Sequence, residues 1–149
     1  MKTILFTIGA MLFLYSCSNR EQGSNNTEVK NAKEAATEKL ELNNGNKWKA
    51  DSITNINVKN LQAIIQKYNA GADKSLVAST SMGTELQVGI DKMISECKMK
   101  GPDHEALHKW LEPLIGAASK LKKSTSENEA TSLIKETDER LNMYSQYFE

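Results

Sequence analysis

Apolar positions recur along this chain in two rhythms, with a polar stretch between them. The first rhythm is an apolar run from Ile4 to Leu14, with Thr7 inside it, behind a lone basic residue, Lys2. That run is too short to span a bilayer and has the layout of a secretory signal segment. From Ser18 to about Asn46 the chain is rich in Asn, Glu, Lys and Ser and almost empty of large apolar residues. Such a segment buries too little surface to offset the entropy of ordering it, which predicts a disordered tether. As a flexible coil it would reach on the order of 30 Å. Ala32 to Leu42 is compatible with transient helix, since Ala, Glu and Lys favour that state.

From Trp48 onward the rhythm is helical. Val58, Leu61, Ile65 and Tyr68 recur at steps of three and four, and Asn69-Ala70-Gly71 stops the first helix. A second helix is predicted to start near Asp73, with Leu76, Ser79, Gly83, Leu86, Ile90, Met93 and Cys97 as its inward stripe. Gly101-Pro102 closes it and opens a third, because Gly suits the position after a helix end and Pro the first helical position. His104, His108, Leu111, Ile115 and Ala118 form one row of the third helix, with Leu107, Leu114 and Leu121 beside it. Pro113 inside this helix removes a donor and crowds the Lys109 carbonyl, which predicts a kink. Ser126 with Glu129 makes a capping box for a fourth helix. Its inner face is Ala130, Leu133, Ile134, Thr137, Leu141, Tyr144 and Phe148, and Glu136 and Arg140 are spaced to pair outside. Amphipathic helices with short connections predict an all-α protein: an up-down-up-down four-helix bundle after a disordered tether. The predicted organisation is a signal segment at 1–16, a tether at 17–46 and a bundle at 47–149.

Leu14-Tyr15-Ser16-Cys17 ends the apolar run and resembles the lipobox of bacterial lipoproteins. The resemblance covers the first seventeen residues. It implies cleavage before Cys17, acylation of Cys17 by fatty acids such as palmitate, and a lipid bilayer as the first partner. Several chains anchor far better than one, at about 0.8 kcal/mol per buried methylene. Ser18 follows where an aspartate often retains lipoproteins in the inner membrane, so the resemblance implies the outer membrane, with the domain in the periplasm or at the cell surface. Removing the signal segment takes away Lys2 alone among its charges, leaving 18 Lys plus Arg against 19 Asp plus Glu. A near-neutral chain has no basic field for nucleic acid.

With Cys17 acylated, Cys97 has no partner for an intrachain disulfide. A single thiol in an oxidising compartment is buried, reactive, paired with another molecule or metal-bound. Its surroundings read C-x-M-x4-H-x3-H: Cys97, Met99, His104 and His108. The two histidines are four apart and share a helix face. The Gly-Pro turn folds that face toward the end of the second helix, so these four side chains are candidate metal ligands. Thiolate and thioether select Cu(I), whereas imidazole accepts copper or zinc, so copper is expected first and zinc second. Trp48 and Met143 fall at the same end, as a cap and a further sulfur ligand. The competing reading takes Cys97 as a small buried hydrophobe, Met93, Met99 and Met143 as core filler, and the histidines as partners of Asp103 or Glu105. A redox role would need an exposed, reactive Cys97.

No Gly-rich phosphate loop, C-x-x-C or C-x-x-C-H marks other chemistry, and no enzyme activity is expected. The acidic stretch Glu127, Glu129, Glu136, Asp138 and Glu139 is interleaved with apolar positions, as on a solvated face. The last third, from Leu107 through Ile115-Gly116 to Leu141-Asn142-Met143-Tyr144-Ser145-Gln146-Tyr147, resembles the C-terminal half of cytochrome b562-like periplasmic bundles. That family implies a four-helix bundle and a haem held by a histidine late in the last helix and a methionine early in the first. Here the last helix has no histidine and the first no methionine, so no haem is expected. The chain also looks like small Gram-negative lipoproteins that pair a tether with a helical bundle. The expectation is a membrane-anchored extracytoplasmic bundle that captures or buffers a soft metal. The alternative is a structural or interaction lipoprotein of the envelope, with a protein partner and no metal site.

Overall fold

The computed structural model describes residues 39–149. The signal segment, Cys17 and the tether up to residue 38 lie outside the described residues. Four helices follow one another: α1 Ser52–Ala70, α2 Leu76–Glu96, α3 Pro102–Leu121 and α4 Glu127–Tyr147. Each packs on its neighbours in the chain, α4 closes against α1, and α2 meets α4 across the diagonal. This is the all-α, up-down-up-down arrangement that the periodicity predicts. No helix among the described residues is long and apolar enough to cross a membrane.

Local chemistry sets the boundaries. Asp51 caps α1, its side chain accepting from the Thr54 N–H at 2.7 Å. Ser75 caps α2 by accepting from the Ala78 N–H at 3.2 Å, so this helix starts later than Asp73, whose own carboxylate accepts from the Ser75 N–H at 2.9 Å. Each cap satisfies a backbone donor that the first helical turn leaves orphaned. Ser126 caps α4, but the Glu129 carboxylate takes the Ser124 hydroxyl at 2.8 Å, not the Ser126 N–H that a reciprocal box requires. α3 has no side-chain cap. It starts at Pro102 directly after Gly101, whose φ of +67° is open to glycine at little cost.

The core runs through all four helices. Leu61 and Ile65 of α1, Leu86 and Ile90 of α2, Leu114 and Leu121 of α3, and Leu141 of α4 are fully buried. Each such side chain stabilises the fold by roughly 1.5–3 kcal/mol relative to exposure. Trp110, absent from the predicted face of α3, is also fully buried. Its ring meets Tyr144 edge-on at 4.9 Å, and Tyr144 stacks on Phe148 at 4.8 Å. The inner face of α3 is therefore centred on Leu107, Leu111, Leu114 and Ala118 with Trp110 beside them, and His104 and His108 lie at its edge.

Pro113 sits inside α3 without ending it. Its ring nitrogen cannot donate to the Lys109 carbonyl four residues back. Arg140 of α4 supplies the donor, with Nη2 at 3.1 Å from that carbonyl and Nε at 3.0 Å from the Trp110 carbonyl. The Trp110 indole N–H donates to the Arg140 carbonyl at 2.9 Å in return. Arg140 thus faces the α3–α4 seam and not the solvent pairing that its spacing from Glu136 suggests. Burial works to lower its pKa from the ordinary value, while the nearby Glu136 charge opposes this.

The folded part also begins earlier than residue 47. Leu40 is buried in the core, and Asn43 and Asn46 exchange backbone hydrogen bonds across a tight turn. The Trp48 indole N–H donates to the Glu41 carbonyl at 2.7 Å. Trp48 itself is not helical. Its backbone N–H donates to the Tyr147 carbonyl at 2.8 Å, and its carbonyl accepts from Glu149 at 3.0 Å. Buried Leu40 fixes this segment beside α3, which the polar average over 18–46 conceals.

Candidate metal site

The α2–α3 turn carries the candidate ligands, and its geometry is set by two carboxylates that cross between segments. Asp51, besides capping α1, accepts from the Lys98 N–H at 3.0 Å. Asp103, in the first turn of α3, accepts from the Lys49 N–H at 3.0 Å. Each holds a backbone donor of the other's segment, so the turn is tied to the chain that enters α1. Burial works to raise the Asp51 pKa, but the hydrogen bonds from Thr54 and Lys98 outweigh it and leave the group below its ordinary value.

Cys97 is the residue after α2, its N–H donating to the Met93 carbonyl at 3.0 Å. It is half-buried and is the free cysteine of the described residues. His104 is half-buried and His108 exposed, and their rings lie 4.6 Å apart between centroids, as the four-residue spacing requires. Cys97, His104 and His108 line one small cavity of about 40 Å³ together with Met93, Ile94, Leu107 and Leu111. Tyr144 lies close behind. Burial, with Asp51 and Cys97 nearby, pushes its hydroxyl above the ordinary range, and that hydroxyl donates to Asn55 Oδ1 at 2.9 Å.

The structure separates the other candidates from this cavity. Met99 lies in the turn, half-buried against the core, and does not line the cavity; the thioether that does is Met93. Met143 lies on the α3–α4 seam, where its sulfur accepts from Arg140 Nη1 at 3.7 Å. Trp48 borders a groove with Leu40, Pro102, Glu105 and Lys109. Glu105-Ala106-Leu107-His108 has the Glu-x-x-His spacing of di-iron bundles. Glu105 lines that same outer groove and not the cavity that His108 borders. Among the described residues, no three of His, Cys, Asp and Glu are grouped closely enough to hold a metal ion as they stand.

The chemistry this arrangement can perform is ligation. One thiol and two imidazoles border a small, mainly apolar space at the end of a tied turn. Comparison with known proteins adds no analogy: no family model, curated protein or solved structure matches the chain.

Proposed function

We propose that this protein is a membrane-anchored extracytoplasmic bundle that captures or buffers a soft metal ion, copper first and zinc second. The observation that carries the reading is the single cavity bordered by Cys97, His104 and His108. A thiolate and two imidazoles are a ligand set for either ion. Cys97, His104 and His108 would hold the ion, and because they are not grouped closely enough as they stand, binding would draw the three side chains inward. The carboxylate-tied turn holds the backbone on both sides of Gly101-Pro102 while they move. The anchor is the acylated Cys17 of the lipobox-like Leu14-Tyr15-Ser16-Cys17, at the outer membrane. The tether and the folded domain follow it.

The test is a competition titration of the reduced mature chain with Cu(I) and, in parallel, Zn(II). Tight one-to-one binding that is lost in Cys97→Ser, with helicity unchanged, supports the reading; equal affinity in the variant contradicts it. Mass spectrometry of the mature N-terminus tests the anchor separately, through the added mass of acyl chains on Cys17.

One observation favours the interaction reading instead. Val77 and Val88 are 78% and 65% exposed, and eleven residues of helix place them on one outward side of α2. A stable metal-free bundle that binds neither ion and retains a specific envelope protein through this side would favour that reading.

A further inference from the structure

We infer that the cavity is built for a monovalent soft ion, Cu(I), and that Met93, not Met99, provides its thioether. The inference rests on the metal reading above and narrows it to an oxidation state and a fourth ligand. Met93 precedes Cys97 by four residues, one helical turn, so both side chains lie on the same side of α2 and its end. Met93 is 1% exposed and borders the cavity, whereas Met99 does not. The remaining walls are Ile94, Leu107 and Leu111.

Charge decides between the ions. No carboxylate lines the cavity. The acidic groups around it are engaged or turned elsewhere. Asp51 and Asp103 accept backbone N–H groups, Glu96 pairs with Lys92 and Asn57, and Glu105 lines the outer groove. On loading, the Cys97 thiol releases its proton to solvent as the metal–sulfur bond forms, and no electron is transferred. One thiolate and Cu(I) then sum to zero charge among two neutral imidazoles and a thioether. The same set around Zn(II) leaves a net positive charge beside apolar walls, with no carboxylate in the lining to compensate it. A cavity of about 40 Å³ is large enough to admit a single ion among these side chains. Thioether sulfur is itself a Cu(I) ligand and a poor partner for zinc.

The experiment uses the full mature chain in detergent, reduced, with Cu(I) supplied in competition with bicinchoninate and Zn(II) titrated separately. Met93→Leu conserves volume and keeps the core filled. It should weaken Cu(I) binding by about tenfold or more, because even residues that only support a metal ligand change affinity by roughly 10–100-fold. Met99→Leu should leave the affinity unchanged. X-ray absorption at the copper edge should count two sulfur neighbours in the parent chain and one in Met93→Leu, a readout independent of any small loss of stability. Cu(I) affinity indifferent to Met93, loss in Met99→Leu instead, or zinc bound as tightly as Cu(I) would overturn this inference while leaving a metal site standing. Failure of the parent chain to bind either ion would overturn both readings.

Discussion

Gly83 and Gly116 show at single-residue scale how unevenly this bundle tolerates change. A Cβ at Gly83 of α2 would lie 2.6 Å from the Lys122 backbone nitrogen and 3.0 Å from the Leu121 carbonyl carbon. Backbone atoms of the α3 end must move to admit it, so Gly83→Ala should destabilise by roughly 1–3 kcal/mol. A Cβ at Gly116 meets nothing within 4 Å. Gly116→Ala should therefore stabilise, by about 0.5–1 kcal/mol through helix propensity. Urea unfolding of the two variants checks the opposite signs. Asp51 makes a third residue-scale case. Its native pKa lies below the ordinary value, so its stabilisation is fully present above the ordinary carboxylate pKa and is lost as pH falls through the lower native one. Asp51→Ala should cost about 1–2 kcal/mol near neutrality, from the α1 cap and the Lys98 tie. The difference from the parent should shrink as the solution is acidified through that range; a difference that grows on acidification would contradict the assignment.

At the scale of elements, α3 and α4 depend on each other at the proline. Arg140 gives the Lys109 carbonyl the donor that Pro113 cannot supply and donates to the Trp110 carbonyl as well. Arg140→Leu should cost about 2–3 kcal/mol, the range for losing hydrogen bonds from a charged donor. In a Pro113→Ala background the cost should be smaller, because residue 113 then donates to Lys109 itself. A double-mutant cycle by urea unfolding measures that coupling, and strict additivity would argue against it. The same seam shows what the sequence conveys. Helix order, the Gly-Pro joint and the buried stripes of α1, α2 and α4 follow from periodicity, since a three-four rhythm has one amphipathic solution. On α3, Leu107, Leu111, Leu114, Ala118 and Leu121 follow as well, but His104 and His108, in register with Leu111 and Ile115, lie at the edge of the face and Trp110 joins it. Trp110 and Arg140 were unreadable for another reason: their roles lie in a reciprocal contact thirty residues apart, which no local spacing encodes. Asn44-Gly45, by contrast, is a readable turn signal. Both residues have positive φ, as a tight reversal between short extended segments requires, yet the polar composition around them masks it.

At the scale of the whole molecule, the polar lead-in joins the fold at the end that carries the candidate metal site. Leu40 is buried, and residues 39–42 share a groove with Pro102 and Glu105 of α3. Leu40→Ala should therefore cost about 2 kcal/mol in thermal or urea unfolding, whereas a residue in a free tether would cost nothing. Of the four candidate ligands that the sequence singles out, three border the cavity and Met99 does not; the thioether that borders it is Met93, one turn before Cys97. The linear pattern favours Met99 because it is near in sequence; the helix repeat favours Met93 because it shares a side with Cys97. The central claim is that Cys97 and both histidines act together on one ion. The chain contains two histidines, so nitrogen-15 NMR of the imidazole rings reads the site without ambiguity. Titration of the reduced mature chain with Cu(I) should shift both rings together, saturating at one equivalent. Ring signals that stay unmoved past one equivalent, or the movement of one ring alone, would contradict the account.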